Sequence, residues 1–442
     1  MPLKIRVGMI ALGCNKNRVD AEVMLGILQE KGYDLTNDPS RAQVIIVNTC
    51  GFIGPAKEEA IETILEMAQY KQEGELKALI VSGCLAQRYP EDLYRDIPEI
   101  DAVIGITDEA DIAKVIEAVL ARKRVLQVAA PGLPAEETAR VLTTPPYMAY
   151  LKIADGCDNC CSYCAIPMIR GPYHSREMDV LIAEAKRLAQ KGVKELVLVA
   201  QDTTLYGEDL YGEPRLSELL EAVCAIEGIQ WVRVLYTYPE RITDKLIQTM
   251  ERNEKICRYI DMPIQHIDDA VLARMNRNGT GAQIRALAKD LRRRGFTLRT
   301  TLITGFPGED EAAFEALRGF IESCTFDRLG VFPYSQEEGT LAADMPDQVE
   351  EELRKARCDE LMQLQQRISK ELLARRIGQV EEVLIEGYDL RAKTYLGRSR
   401  AEAPEIDGQI LVHADTDLAV GAFVPVRITQ AFDYDLEGVA LT

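Results

Sequence analysis

A chain of 442 residues is longer than one hydrophobic core supports, so two or three domains are expected. The formal charge of −19 argues against a general phosphate-binding face and suits a basic protein partner. No apolar run approaches the ~18 residues of a membrane span, and the opening MPLKIRVGMIALGC runs into strand-like sequence without a cleavage site, so a cytoplasmic protein is expected.

Up to about residue 128, short apolar runs alternate with amphipathic stretches: KIRVGMIAL, a helix near 18 to 31, QVIIVN, a helix near 55 to 72, KALIVS, then AVIGI before DIAKVIEAVLARK. Strands separated by helices predict a parallel α/β sheet, taken as a first domain over 1–130. The stretch APGLPAEETARVLTTPPY then reads as a linker. From about 147 to 335 six strand candidates recur, YMAYLKIA, ELVLVA, WVRVLYT, YIDMPIQ, LRTTLITG and RLGVFPYS, with helices in most gaps. They predict an incomplete (βα)6 barrel, two units short of the closed eightfold form, in a second domain over 143–372. A long helix is expected over 347–376. The remainder, 376–442, switches to short strands (VEEVLIEGY, TYLGRS, GQILVH, FVPVRITQA) and predicts a small antiparallel β-barrel. The overall class is α/β.

Eleven cysteines in a chain of this kind imply metal binding or redox work, because cytosolic thiols are kept reduced. Four of them lie in GCDNCCSYC, directly after the first barrel strand, at the edge where barrel enzymes place their chemistry. Structural zinc normally takes four ligands from two separated pairs, and no second pair exists. Cys157, Cys161 and Cys164 instead form C-x-x-x-C-x-x-C, three thiolates that can hold three irons of a 4Fe-4S cluster and leave the fourth iron open. Cys160 falls outside this spacing and reads as incidental, although a register through Cys160 is the alternative.

A second triad follows from periodicity. Cys14, Cys50 and Cys84 each sit one to three residues beyond a predicted strand, spaced by 36 and 34 residues, about one strand-helix unit each. Parallel strands joined by right-handed crossovers bring their C-terminal ends to one edge, so the three thiols should meet there. The rival reading, three buried apolar cysteines, would put them inside the strands. Convergence makes a second cluster with one free corner the better expectation.

With Tyr163 as the aromatic residue before the last cysteine, the triplet resembles that of the radical S-adenosylmethionine enzymes. LGCNKNRVDAE, NTCGFI and VSGCLAQRY, together with the terminal β domain, resemble the methylthiotransferases over essentially the whole chain. The resemblance implies two 4Fe-4S clusters, S-adenosylmethionine as radical source and methyl donor, an N-terminal cluster that supplies sulfur, an electron donor, and a terminal domain of the TRAM type. PPYMAYLKIADGC, YIDMPIQH, FDRLGVFPYSQEEGT and GRSRAEAPEIDGQILV resemble the branch that modifies the β-carbon of an aspartate in the twelfth protein of the small ribosomal subunit, rather than the branch that modifies tRNA adenosine. From Arg376 to Thr442 there are six Arg or Lys against twelve Asp or Glu, a net of −6. A basic ribosomal protein fits that charge better than RNA does, so nucleic acid is not the primary partner expected. The rival readings are the tRNA enzyme, a non-catalytic iron-sulfur carrier and a structural zinc site.

Tyr163, Gln201, Gln265 and Gly305 are the candidates for contact with S-adenosylmethionine, with Asp202 and His266 on the same expected edge. No catalytic side chain is assigned beyond the cluster ligands. His174 and His413 read as surface or packing residues, and Cys224, Cys257, Cys324 and Cys358 as buried small hydrophobes. Glu350 to Glu352 read as a solvated first helical turn, favourable at a helix N-terminus.

Overall fold

Six parallel strands, β1 (Arg6–Ala11), β2 (Asp34–Thr36), β3 (Val44–Thr49), β4 (Ala78–Gly83), β5 (Ala102–Ile104) and β6 (Val125–Gln127), form the first sheet in the order β2-β1-β3-β4-β5-β6. β3 and β4 are buried at every position, as expected where helices cover both faces of a parallel sheet. Helices Asn15–Glu30 and Ile112–Leu120 pack on one face, and Gly54–Glu73 with Cys84–Arg88 on the other. The expected strands and helices are present. β2, β6 and the short helix Pro90–Asp96 were not legible, being only three to seven residues long. The computed structural model describes residues 5–132 and 140–441.

Residues 133–139 of the expected linker lie outside those described. Its second half is anything but loose. Arg140 is buried, with Nη2 donating to Glu22 Oε2 at 2.6 Å and Nη1 to Glu184 Oε1 at 2.5 Å, which pins helix 15–30 against helix Met178–Gln190.

All six expected barrel strands form: β7 (Met148–Lys152), β10 (Glu195–Val199), β11 (Trp231–Val234), β12 (Tyr259–Asp261), β13 (Thr297–Thr304) and β14 (Arg328–Pro333), with a short pair, β8 (Ala154–Asp155) and β9 (His174–Ser175), after β7. They make two parallel three-stranded sheets, β11-β10-β7 and β12-β13-β14. The sheets meet along a seam carried by Cys257 N–H to Val232 O (2.9 Å) and Thr237 N–H to Asp261 O (2.8 Å). Leu151, Leu196, Leu198 and Val232 face the helices, whereas Tyr150, Val197, Trp231 and Tyr259 face inward. The long helix spans Glu351–Ala374, with Glu351 and Glu352 exposed in its first turn.

The terminal domain closes as a five-stranded barrel in the order β15-β16-β17-β19-β18: β15 (Val380–Asp389), β16 (Thr394–Arg398), β17 (Ile410–His413), β18 (Phe423–Ala431) and β19 (Leu436–Ala440). Four of its contacts are antiparallel as expected, while β17 and β19 run parallel. Between β16 and β17, residues 399–407 close the N-terminal end of the large barrel. Tyr259 Oη donates to Asp407 Oδ2 (2.7 Å), Arg328 Nη2 to Glu402 Oε1 (2.9 Å) and Tyr150 Oη to Glu405 Oε2 (3.0 Å). Among the described residues no helix is long and apolar enough to cross a membrane.

Candidate functional site: two thiol triads on one edge

β1, β3 and β4 are parallel neighbours, so their C-terminal ends fall side by side. Cys14 caps helix 15–30, Cys50 follows β3 directly, and Cys84 opens helix 84–88. Gly13, at a φ of +84°, lets the first of these loops come close: a Cβ there would lie 3.1 Å from Cys50 Sγ. Burial pushes the Cys84 thiol up to about 12. Arg170 opposes that shift, and the thiolate charges of Cys14 and Cys50 add to it. The three thiols thus stand at the ends of neighbouring strands, with the Cys14 loop close against Cys50.

The central loop holds its thiols differently. The N–H of Cys157 donates to Gly171 O (3.1 Å), that of Cys164 to Cys161 O (3.0 Å) and that of Ser162 to Met275 O (3.0 Å), which fixes the loop on three sides. Asn159 Nδ2 lies 3.5 Å from Cys157 Sγ and donates to Asp202 Oδ2 at 3.0 Å. Tyr238 Oη is 3.7 Å from Cys161 Sγ, Arg277 Nη1 is 4.0 Å from the same sulfur, and the Arg277 guanidinium lies 4.2 Å over the Tyr238 ring. Burial pushes Cys157 up to about 11 and raises Cys164 further, with the Cys161 thiolate adding to both. Cys160 is exposed at a φ of +50°, and its carbonyl accepts from Asn276 Nδ2 (2.8 Å).

Among the described residues no three His, Cys, Asp or Glu groups close around a point as one metal ion requires. A zinc ion would draw its sulfurs to about 2.3 Å from a common centre. In a cluster each thiolate meets its own iron, so the sulfurs stay further apart. Three soft thiolates per set, with one position left open, are the donor set a 4Fe-4S cluster takes.

The two sets face a common seam. Helix 84–88 packs on helix Ile166–Arg170 through Cys84, Ile106, Ala165 and Ile169, so Cys84 meets the residue that follows Cys164. Beside it sits a buried knot of charge. Arg170 Nη1 donates to Asp155 Oδ2 (2.7 Å) and Nη2 to Asp20 Oδ2 (2.8 Å), while Lys152 pairs with Asp20 and with Asp155 (2.9 Å). On the same side Glu337 accepts from Gly54 N–H (2.8 Å), Lys57 Nζ (2.8 Å) and Arg88 Nη1 (2.9 Å), tying the loop after β14 to the first domain.

The remaining candidates separate. Tyr163 packs edge-on against Phe306, 6.3 Å between centroids. Gln201 donates to Asp155 Oδ1 (2.9 Å) and leaves its buried Oε1 without a partner, an acceptor still available at the site. Gln265 stands at a φ of +72° and bridges by backbone to β13. Gly305 has its N–H taken by Glu309 Oε1 (2.9 Å), and a Cβ there would lie 2.2 Å from Arg354 Cγ, so on that side its neighbour is Arg354. His266 is fully buried, its Nε2 3.2 Å from Glu309 Oε2, and Asp202 is equally buried and holds Arg241 at 2.6 Å. His174 lies in β9 and His413 pairs with Glu437. Cys224 and Cys257 are buried as expected, whereas Cys324 and Cys358 are only half-buried, at the edge of the barrel-domain core.

Sequence reasoning missed Asn159, Arg170, Tyr238 and Arg277. Arg170 was findable in principle, six residues past Cys164 in a short helix. Tyr238 and Arg277 carry no local signal, because tertiary folding alone brings them to Cys161.

A partial barrel with an open-edged thiol triplet defines the radical S-adenosylmethionine class. Family models agree: "Radical SAM superfamily" matches residues 151–321, "Uncharacterized protein family UPF0004" residues 6–105, and "TRAM domain" residues 377–441. A solved radical S-adenosylmethionine methyltransferase, TsrM from Kitasatospora setae, shares the fold at a TM-score of 0.56 and 13% identity, over 86% of this chain and 77% of that one. Ribosomal protein uS12 methylthiotransferase RimO of Pelotomaculum thermopropionicum is 50% identical over 98% of this chain and 99% of its own length. The Geobacter sulfurreducens protein of the same name is 49% identical over 98% of each. The chain belongs to the RimO family of methylthiotransferases.

Proposed function

We propose that this chain attaches a methylthio group to the β-carbon of an aspartate in ribosomal protein uS12. The observation that carries the reading is the pair of three-thiol sets across one seam between the first domain and the barrel. Cys157, Cys161 and Cys164 would hold one 4Fe-4S cluster, and Cys14, Cys50 and Cys84 the other. When bound, the clusters and S-adenosylmethionine supply electron transfer, a carbon radical, sulfur and the methyl group, chemistry the cofactors own.

The chain's own residues do the rest. Asn159 donates toward Cys157, and Arg277 with Tyr238 steadies Cys161, so the triplet is preorganised before a cofactor arrives. Tyr163, Gln201 and Gln265 remain the candidates for contact with S-adenosylmethionine, of which Gln201 offers the unpartnered acceptor. The first domain packs against the C-terminal end of the barrel through Asp20 and Arg170, and residues 399–407 close the other end.

Substrate choice is carried by charge. Of the six basic side chains in 376–442, two are spent inside the molecule: Arg376 on Glu381 and Glu402, and Arg398 on Glu195 and Glu386. The charges left unpaired on this domain are still predominantly acidic. The domain carries a cleft of about 500 Å³ lined by Tyr388, Lys393, Tyr395, Asp415 and Asp417, in which two carboxylates and two rings outweigh one cation and could take a Lys or Arg side chain. An external electron donor and a cytoplasmic setting, where thiols stay reduced, complete the reading.

The test is anaerobic reconstitution followed by incubation with uS12 and, separately, with tRNA. Mass spectrometry should find the methylthio increment on the uS12 aspartate. Modification of tRNA alone, or cluster binding without consumption of S-adenosylmethionine, would overturn the reading.

A further inference from the structure

Arg170 touches both halves of the candidate site and reaches a sulfur of the first triad. It ends the helix that begins two residues after Cys164, and its side chain is 2% exposed. Its guanidinium reaches Asp155 Oδ2 at 2.7 Å, Asp20 Oδ2 at 2.8 Å, Asn17 Oδ1 at 3.4 Å and Cys84 Sγ at 3.7 Å. Asp155 belongs to the barrel and directly precedes the Gly156–Cys157 turn, with Gly156 N–H donating to its Oδ1 at 3.0 Å. Asp20, Asn17 and Cys84 belong to the first domain. Two carboxylates, Asp20 and Asp155, face two cations, Lys152 and Arg170, so the knot is neutral by itself. Glu109 stands close by, raised well above the usual carboxylate range by burial and by Asp20, and its Oε1 accepts from Ser82 Oγ at 3.1 Å.

Lysine could not serve in this place. A planar fork of five N–H groups can hold two carboxylates and still direct a donor at a sulfur, whereas an ammonium is a single point charge. Hydrogen bonds to a cluster's sulfurs and the net charge around it set its reduction potential. A cation beside Cys84 favours the reduced, more negative state. Arg277 stands beside Cys161 in a comparable way, but both belong to the barrel domain.

We infer that Arg170 is a positioning residue for the N-terminal triad: supplied by the barrel domain, it donates to the Cys84 sulfur and raises the reduction potential of the cluster held by Cys14, Cys50 and Cys84. The inference rests on the reading that this triad carries a cluster. A consequence is that the first domain's cluster acquires its working potential only when the domain is docked on the barrel.

The test uses the full chain with Cys157, Cys161 and Cys164 all changed to Ala, reconstituted without oxygen, so that one cluster is observed. A redox titration with dithionite, followed by electron paramagnetic resonance, measures the uptake of one electron. Two charge-balanced pairs that preserve the neutrality of the knot are compared, Asp20→Asn with Arg170→Met, and Asp20→Asn with Lys152→Met. The Arg170 pair should shift the reduction equilibrium at least tenfold toward the oxidised form, about 59 mV more negative. The Lys152 pair should stay within about twofold of the parent, because Arg170 remains beside Cys84. Equal shifts in both pairs, or no shift in either, overturn the inference. Iron lost from the Arg170 pair alone supports it, and iron lost from both pairs overturns it. Absence of iron from the parent itself is a different result, the failure of the cluster reading at Cys14, Cys50 and Cys84.

Discussion

The two thiol sets arrive at like arrangements by opposite routes. Cys157, Cys161 and Cys164 come from one loop of nine residues, and any fold that presents the loop presents the triplet. Cys14, Cys50 and Cys84 come from three strand ends, and they meet only because β1, β3 and β4 are parallel neighbours. The first set is a local property and the second a tertiary one. The contrast implies that strain or partial unfolding of the first domain should dissolve its triad while the central one survives.

The strongest break in the comparison removes one ligand from each set. Cys157→Ala and Cys14→Ala should each lose about half of the iron, since on the proposed reading each triad holds its own cluster. Only Cys157→Ala should abolish deoxyadenosine formation, while Cys14→Ala should keep it and lose methylthio transfer. Iron analysis and product chromatography check both.

The next largest effect lies in the seam. Lys152→Met leaves Asp20 and Asp155 with Arg170 alone in a buried site, and breaking such a pair costs about 3–5 kcal/mol. Calorimetry should show a lower transition for the first domain. Limited proteolysis should release that domain first.

The opposite end of the barrel sharpens the picture through pH. Glu402 is buried, which would raise its carboxyl, yet Arg376 and Arg328 hold it at about 2, against an ordinary 4.5. The depressed value contributes stability that is fully present above about pH 4.5 and lost as pH falls toward 2, roughly 3 kcal/mol at most. Glu402→Gln should remove that part of the acid dependence of unfolding, leaving terminal-domain docking weaker at neutral pH and less sensitive below pH 4.5. The smallest change is Cys160→Ser. This exposed thiol should leave iron content unaltered and stability within about 0.5 kcal/mol.

Much of this molecule was legible before folding was considered. Strand-helix alternation carried the parallel sheet, six apolar runs carried the partial barrel, and two cysteine spacings carried the proposal of two triads. Periodicity is enough for these because a strand's direction and length fix where its last residue falls. Short elements escaped: β2, β6 and β19 span only three to five residues, too few for a repeat to register. The parallel contact of β17 with β19 escaped too, because strand order in a closed barrel is not a local quantity. Among the candidate site residues, Gly305 shows the limit most plainly. A glycine in a turn signals close approach, but the sequence does not say to what, and here the neighbour is Arg354.

By itself, then, the order of amino acids determined that three thiols share one loop and that three others follow neighbouring strands, since spacing and strand direction are properties of the chain. Only the tertiary structure decided how the two groups face each other across helices 84–88 and 166–170, and which cation stands between them. Arg170 meets Cys84 from 86 positions away, and contacts between distant residues depend on packing and burial of charge that no local pattern encodes.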